Sequence, residues 1–135
     1  MFDQEKIDAV KKRGVEEGWP FPYLFNSLKA LGIDRYEVDV LTHETRFVGG
    51  GATIVEPAPA GFSILTAGKT YELTGLKTAL ARVQAKESNY EEFLTEIAAA
   101  GVVFYRVDMR PRTVTYHGAD KRHKHVETVP ETNQP

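Results

Sequence analysis

Apolar residues recur along the chain with two different spacings. A spacing of three or four predicts amphipathic helices in four segments, which are residues 4–18, about 22–31, 74–86 and about 88–100. Strict alternation predicts strands with one buried face in six segments, which are residues 35–40, 45–48, 53–56, 102–109, 113–117 and 123–128. Helices followed by hairpin strands are typical of an α+β fold with an antiparallel sheet covered by helices.

Proline, glycine and polar capping residues mark the predicted helix ends. Pro22 fits the first turn of the second helix, and Gly32 ends that helix. Thr74 is the predicted N-cap of the third helix. Ser88 and Glu91 form a predicted capping box at the start of the fourth.

The second half of the chain resembles the first at a constant spacing of 69 positions, the distance from Gly32 to Gly101. Between residues 24–49 and 93–118 the identical pairs at that spacing are Ala30 and Ala99, Gly32 and Gly101, Tyr36 and Tyr105, Val38 and Val107, Asp39 and Asp108, and Gly49 and Gly118. They predict an internally duplicated helix-helix-β-hairpin-strand unit arranged about a pseudo-twofold axis. Chance similarity of two amphipathic units is the alternative.

The duplication predicts a single domain, residues 1–135, made of two repeats at about 4–56 and 74–130. Residues 57–73 are the predicted linker, with a short strand at 62–65, and residues 131–135 are a predicted frayed tail. Each half alone would bury too little surface to be stable. Whether the two halves form one continuous sheet or face each other is open at this point.

The composition excludes several classes of protein and site. The chain has 135 residues, 41% of them hydrophobic and 27% charged, and a net charge of −2. It has no cysteine, which excludes disulfides, thiolate metal sites and cysteine nucleophiles. No apolar run approaches the roughly 20 residues of a membrane span, and the N-terminus lacks the pattern of a secretory signal. These features predict a cytoplasmic protein without a membrane partner.

The repeated Tyr-x-Val-Asp motif offers the first candidate ligand site. Tyr36, Asp39, Tyr105 and Asp108 could occupy symmetric positions at the junction of the repeats, and paired carboxylates could bind a ligand or share a proton. The alternative is a scaffold role, because alternation places Tyr36 and Asp39 on opposite faces of the strand. A hairpin turning at residues 42–43 would set Asp39 opposite Arg46 as an exposed ion pair.

The final third of the chain is basic and rich in histidine. Arg122, His123 and His125 are candidate partner-binding residues within the segment 101–125. Such a segment could attract phosphates or acidic partners, or it could be the solvated face of an edge hairpin. His117, His123 and His125 could approach one another, but the surrounding positive charge and the lack of an orienting carboxylate oppose a metal site. We therefore predict no metal, and we expect nucleic-acid binding to be the weakest of the functional alternatives.

Aromatic residues cluster around the proline break between the first two helices. Trp19, Phe21 and Tyr23 are candidate partner-binding residues there, because aromatics beside a rigid turn often form part of a groove or interface. The alternative is that they close one end of the core.

Two further features have structural interpretations. Gly49-Gly50-Gly51 is followed by neither the helix nor the lysine of a phosphate-binding loop, so we interpret it as a strand connection. His43 lies in a predicted turn, and we expect it to be a solvated loop residue.

The order helix, Gly-[Ile/Val]-x-x-Tyr-x-Val-Asp, hairpin, Gly and Val-Glu-x-x-Pro resembles the YbcV/YdfO-like family of small bacterial and prophage-encoded proteins. The residues that carry the resemblance are Gly32, Tyr36, Val38, Asp39, Gly49, Gly101, Tyr105, Val107, Asp108, Thr115, Tyr116, Gly118 and Glu127. The family is uncharacterised, so the resemblance implies no catalytic residues. The basic run at 121–125 departs from the more neutral, acidic segment expected there.

The sequence as a whole favours a non-catalytic binding or interaction module. It contains no recognisable nucleophile motif or cofactor loop, so we expect no cofactor, and enzymatic activity stays an open question. Self-association through sheet edges or the aromatic residues is one form that such a module can take. The alternatives are a small-ligand protein or enzyme with its site at the junction of the repeats, and weak binding of nucleic acid or an acidic partner through the basic hairpin.

Overall fold

The computed structural model of the chain describes residues 2–120 and 122–131. Their helices are α1 (Gln4–Glu17), α2 (Phe21–Ala30), α3 (Leu73–Gln84) and α4 (Tyr90–Ala99). Their strands are β1 (Arg35–Asp39), β2 (Thr45–Gly49), β3 (Ala52–Glu56), β4 (Val102–Asp108), β5 (Thr113–Gly118) and β6 (Lys124–Thr128). The predicted α+β class is therefore confirmed.

The six strands form one antiparallel sheet in the order β3-β2-β1-β4-β5-β6. Strands β1 and β4 pair at its centre, so the two halves of the chain share a continuous sheet. The pairing extends beyond both strands, because Val40 donates its N–H to the Val103 carbonyl at 3.0 Å and Met109 donates to the Asp34 carbonyl at 3.0 Å. The strand order is symmetric about this central pair. The duplication itself stays a prediction.

All the helices lie against one face of the sheet. Along β1, Tyr36 and Val38 are buried, whereas the residues that alternate with them are exposed or half-buried. The buried residues pack against apolar side chains of the helices such as Ile7, Phe25 and Ile97. We call the opposite face, which carries the exposed and half-buried side chains of the strands, the open face.

Two helix starts differ from their predictions. Helix α3 begins at Leu73 with Glu72 as its N-cap, so Thr74 lies inside the helix. At α4 the capping box consists of Asn89 and Glu92, one residue later than predicted. Asparagine is as good an N-cap as serine, so the sequence offers two neighbouring candidates.

Residues 57–72 cross the molecule without the strand predicted at 62–65. Backbone hydrogen bonds hold this segment, with Leu65 donating to Leu41 at 2.9 Å and Gly68 donating to Ala98 at 2.8 Å. Residues 132–135 of the predicted tail, and Lys121 of the basic run, lie outside the described residues. Within the described ranges, none of the helices has the length and apolar character needed to span a membrane.

Candidate functional site

The structure separates the four residues of the two Tyr-x-Val-Asp motifs. Tyr36 and Tyr105 are 5% and 8% exposed on the helix-covered face. Asp39 and Asp108 lie on the open face, because side chains alternate along a strand and each is three positions from its tyrosine. The predicted set of two tyrosines and two carboxylates does not meet in one place.

The predicted pairing of Asp39 with Arg46 is wrong. Arg46 lies opposite Glu37, and Val38 lies opposite Thr45. The carboxylate of Asp39 instead accepts hydrogen bonds from the backbone N–H groups of Leu41 at 2.9 Å and Thr42 at 3.0 Å. This local capping tightens the turn and shifts the hairpin register by two residues from the predicted one.

Tyr36 and Tyr105 belong to a group of neighbouring tyrosines on the helix-covered side of the sheet. We call Tyr36, Tyr90, Tyr105 and Tyr116 the tyrosine cluster. The Tyr90 and Tyr105 hydroxyls are 2.7 Å apart, and the rings of Tyr105 and Tyr116 are 5.7 Å apart. Burial raises the pKa of Tyr36 and Tyr105 well above the usual tyrosine value, and their tyrosine neighbours add to the effect. These hydroxyls therefore stay protonated at neutral pH, and that of Tyr105 is hydrogen-bonded to the hydroxyl of Tyr90.

His43 contacts this cluster and is not the solvated loop residue that we expected. Its Nε2 lies 3.0 Å from the Tyr90 hydroxyl, and its ring packs 5.3 Å from that of Phe62. Its Nδ1 is buried without a hydrogen-bond partner in the described part of the chain. Burial lowers the pKa of His43, the charge of Lys11 lowers it further, and Glu56 opposes the shift.

The backbone of His43 is also unusual, with φ of 62°, in the left-handed region that non-glycine residues rarely adopt. Arg112, at the matching position of the second hairpin, has φ of 57°. Its guanidinium donates to Asn26 Oδ1 at 3.1 Å and lies 4.6 Å from the Phe25 ring centre. Each hairpin turn thus contacts a helix from the other half of the chain.

A depression of about 300 Å³ opens on the open face where β1 and β4 meet. It is lined by Glu37, Val38, Asp39, Leu41, Glu44, Arg46, Val103 and Phe104. These residues come from β1, the β1–β2 turn, β2 and the start of β4. We call it the junction depression, because it crosses the boundary between the two halves.

The junction depression is rich in carboxylates. Its lining carries three carboxyl side chains and one guanidinium. In the described ranges, the ion-pair partner of Glu37 is distant, with Arg106 Nη1 at 4.0 Å. The carboxylate of Glu44 has no hydrogen-bond or ion-pair partner among residues 2–120 and 122–131. The depression therefore has a net negative lining with at least one carboxylate available to a ligand.

The aromatic wall of the junction depression is held in place by stacking. The rings of Phe104 and His117 are parallel, with an interplanar angle of 8° and centres 4.3 Å apart. Burial lowers the pKa of His117, and the charges of Lys124 and Arg106 lower it further. A neutral imidazole is therefore favoured at neutral pH, and it supports the Phe104 ring from the side of β5.

The predicted partner-binding residues near β6, Arg122, His123 and His125, contact local partners. Arg122 Nη2 lies 3.3 Å from Asp120 Oδ2. His123 precedes β6 and stacks on Tyr71 with ring centres 5.2 Å apart. His125 Nε2 lies 2.6 Å from Glu127 Oε2, so our expectation that no carboxylate orients these rings is wrong. In the portion of the chain that the structure describes, no three histidine or carboxylate residues form a group that could hold a metal ion.

The aromatic residues between α1 and α2 form a partly exposed surface. The indole of Trp19 donates to Glu17 at 3.2 Å and lies 5.1 Å from the Arg13 guanidinium and 6.4 Å from the Tyr23 ring. Phe21 is 39% exposed. A partner-binding role for Trp19, Phe21 and Tyr23 stays a prediction.

The sequence did not predict that Glu44 and Phe104 line a depression. It also did not predict the stacking of His117 on Phe104 or the contact of His43 with Tyr90. Hairpin register could have revealed the Phe104–His117 pair, since both occupy cross-strand positions of β4 and β5. No local pattern could have revealed the contact between His43 and Tyr90, because it joins a turn of the first half to a helix of the second.

A single family model matches most of the chain. Residues 7–128 match the model of a family described as "Protein of unknown function (DUF1398)". The chain is 30% identical over 125 residues to uncharacterised proteins of Mycobacterium tuberculosis and Mycobacterium bovis. These alignments cover 82% of this chain and 66% of each relative, so the chain spans about two thirds of the relatives' length. The resemblance to YbcV/YdfO-like proteins and the prophage origin stay predictions.

Proposed function

The chain belongs to the DUF1398 family, whose description assigns no function, and we propose that it is a non-catalytic binding module. Its ligand site is the junction depression, and the ligand is a cationic group carried on an apolar stem. The single observation that carries this proposal is the convergence of unpaired carboxylate and aromatic surface in one depression at the centre of the sheet.

The charge of the lining favours a cation. Glu37, Asp39 and Glu44 outnumber Arg46, and the carboxylate of Glu44 has no partner in the described residues. An ammonium or guanidinium group would donate charge-assisted hydrogen bonds to such oxygens. The π-face of Phe104 would add to the attraction, because aromatic faces attract cations.

The size and apolar walls of the junction depression limit the ligand. A volume of about 300 Å³ is at the lower end of small-molecule sites, so it suits a small amine or a single basic side chain. Leu41 and Val103 line it beside Phe104 and would cover the methylene or aromatic stem. The carboxylates are solvent-exposed, so we expect weak, salt-sensitive binding.

The titratable groups with the largest shifts argue for binding rather than catalysis. They are the tyrosines of the tyrosine cluster, whose pKa values are raised by burial. A general base or nucleophile needs the opposite shift, toward ionisation near neutral pH. The cluster is better explained as a polar core that holds the two halves of the sheet together.

The proposed duplication explains why the site lies at the junction. The hydrogen bonds from Val40 to Val103 and from Met109 to Asp34 are equivalent, because Val40 corresponds to Met109 and Asp34 to Val103 at the spacing found in the sequence. Two copies of one unit would meet at β1 and β4, as these bonds do, and a boundary between copies leaves room for a depression. The cytoplasmic location remains part of the proposal.

A titration with two matched probes tests the proposal. The probes are 2-phenylethylamine, a cation with an aromatic stem, and phenylacetate, an anion of similar size. We expect the cation to shift the backbone amide resonances of Glu37, Glu44 and Phe104 in a saturable way, and the anion to leave them unchanged. Equal shifts from both probes, or shifts confined to another surface, would contradict the proposal.

The same cation could be a free amine or the side chain of a protein partner. A short blocked peptide with one lysine distinguishes these sources when it is compared with the same peptide carrying norleucine. Stronger binding of the lysine peptide than of 2-phenylethylamine assigns the site to a peptide partner. Stronger binding of the amine assigns it to a small molecule.

A further inference from the structure

Among the described residues, strand β6 is an edge of the sheet, and a row of its backbone groups has no partner strand there. Gly118 donates to the His123 carbonyl at 2.9 Å, and Val129 donates to the Arg112 carbonyl at 2.8 Å. Hydrogen-bonded positions alternate along an antiparallel pair, so the odd-numbered residues of β6 bond to β5. The N–H and C=O groups of Lys124, Val126 and Thr128 therefore point away from the sheet.

We propose that the protein forms a homodimer by antiparallel pairing of β6 with β6 of a second copy. A twofold axis at Val126 sets Val126 opposite its own copy and Lys124 opposite Thr128 of the partner subunit. All of these residues have outward-pointing backbone groups, so each facing pair can exchange two hydrogen bonds. The result is one sheet that continues across both subunits.

The side chains of β6 are complementary in the same register. The axis at Val126 places His125 opposite Glu127 of the partner subunit, at positions without backbone bonds, where Cα atoms approach to about 4.5 Å. Within one chain His125 already lies 2.6 Å from Glu127, so the dimer joins two such pairs into one network. Val126, which is 49% exposed, would be covered by its own copy.

The ends of β6 limit the pairing to this register. Pro130 is the next outward-facing position and has no N–H to donate. At the other end, the Arg122 N–H is already bonded to Asp120 Oδ1 at 2.9 Å. The overlap of Lys124–Thr128 with its copy is therefore the longest that the strand allows.

The opposite edge, β3, is less suited to self-pairing. Its carboxylate Glu56 is occupied by Gln4 at 2.7 Å and by Lys11 at 2.8 Å. The matching twofold axis of β3, at Val55, would set Glu56 opposite Ile54 of the partner subunit, which offers no charge. The observations favour β6 as the dimer edge.

A single strand pair is smaller than the interface of a stable complex, which buries at least about 1,000 Å². The dimer should therefore be reversible. In sedimentation equilibrium, the weight-average mass should rise from 15.1 kDa toward twice that value as the protein concentration increases. A mass that stays at 15.1 kDa up to about 1 mM, the limit of meaningful affinity for so small an interface, would overturn the proposal.

Proline substitution at matched edge positions tests which edge is used. Val126→Pro removes an N–H that points away from β5, so it should abolish dimerisation while the fold is retained. Val55→Pro is the control, because Val55 is 46% exposed at the corresponding position of β3. Dimerisation that survives Val126→Pro, or that is lost with Val55→Pro in a folded protein, would contradict pairing through β6.

Charge substitution provides a second test that does not alter the backbone. His125→Glu places glutamates at both positions 125 and 127, whereas Glu127→Lys places a lysine beside His125. Each variant alone should remain a monomer, whereas an equal mixture of the two should form a heterodimer of complementary strands. Self-association of either variant to the wild-type extent, or failure of the mixture to associate, would refute the register.

Discussion

Removing the Tyr90 hydroxyl should destabilise the protein more than its surface position indicates. Tyr90 is 43% exposed, but its hydroxyl points inward and joins two groups. It lies 2.7 Å from the Tyr105 hydroxyl and 3.0 Å from His43 Nε2. Tyr90→Phe therefore breaks both contacts while the ring stays in place.

The expected magnitude follows from what each substitution leaves unpaired. A buried polar group without a partner costs about 1–3 kcal/mol. Tyr90→Phe strands the hydroxyl of Tyr105, which is 8% exposed, together with His43 Nε2, so we expect a loss of about 3 kcal/mol. Tyr105→Phe leaves Tyr90 bonded to His43 and should cost only about 1 kcal/mol.

A double-mutant cycle measured by urea unfolding tests this reasoning. The double variant leaves only His43 Nε2 unpaired, so its loss should be smaller than the sum of the single losses by at least about 1 kcal/mol. The three variants and the wild type should have the same m-value, which shows that they unfold from similar states. Additive losses, or a Tyr90→Phe loss below that of Tyr105→Phe, would refute the hydrogen-bonded chain.

Three further predictions concern particular positions. Burial lowers the pKa of His43, so the imidazole binds a proton on unfolding, and the wild type should lose stability as pH falls below about 6.5. His43→Gln should remove part of this loss. An unchanged profile of unfolding free energy against pH in this variant would contradict the assignment. A Cβ added at Gly49 would overlap a backbone carbonyl oxygen, whereas one added at Gly118 first meets a tyrosine ring at 2.9 Å. In chemical denaturation, Gly49→Ala should therefore lower the free energy of unfolding by about 3 kcal/mol and Gly118→Ala by about 1 kcal/mol. The reverse order would be inconsistent with this geometry. Asn89→Ala should cost about 1 kcal/mol because it removes the cap of α4, and Ser88→Ala should be nearly neutral; a larger loss for Ser88→Ala would restore the capping box first predicted.

The fold was predictable where local chemistry determines it. Alternation at Tyr36 and Val38 identified the buried face of β1 correctly, and Gly32 ended the preceding helix region as expected. The hairpin register was not predictable from alternation alone, because a shift by two residues keeps the same faces. The Asp39 carboxylate, which bonds to the turn, selects the register, and the sequence does not show that interaction.

The candidate site was predictable only in part. Asp39 was named as a ligand residue and does line the junction depression, but Tyr36 and Tyr105 lie on the other side of the sheet. Glu44 and Phe104 come together only because β1 and β4 pair across the two halves. Such long-range pairing depends on tertiary packing, which short sequence patterns do not encode.

The affinity of 2-phenylethylamine for charge-neutralised variants tests the proposed binding function most directly. Glu44→Gln removes an unpaired carboxylate of the junction depression, and Glu16→Gln removes the same charge from the exposed surface of α1. We predict that Glu44→Gln weakens binding about five-fold, as expected for an exposed ion pair of about 1 kcal/mol, and that Glu16→Gln leaves the affinity unchanged. Equal affinities for both variants and the wild type would contradict the account.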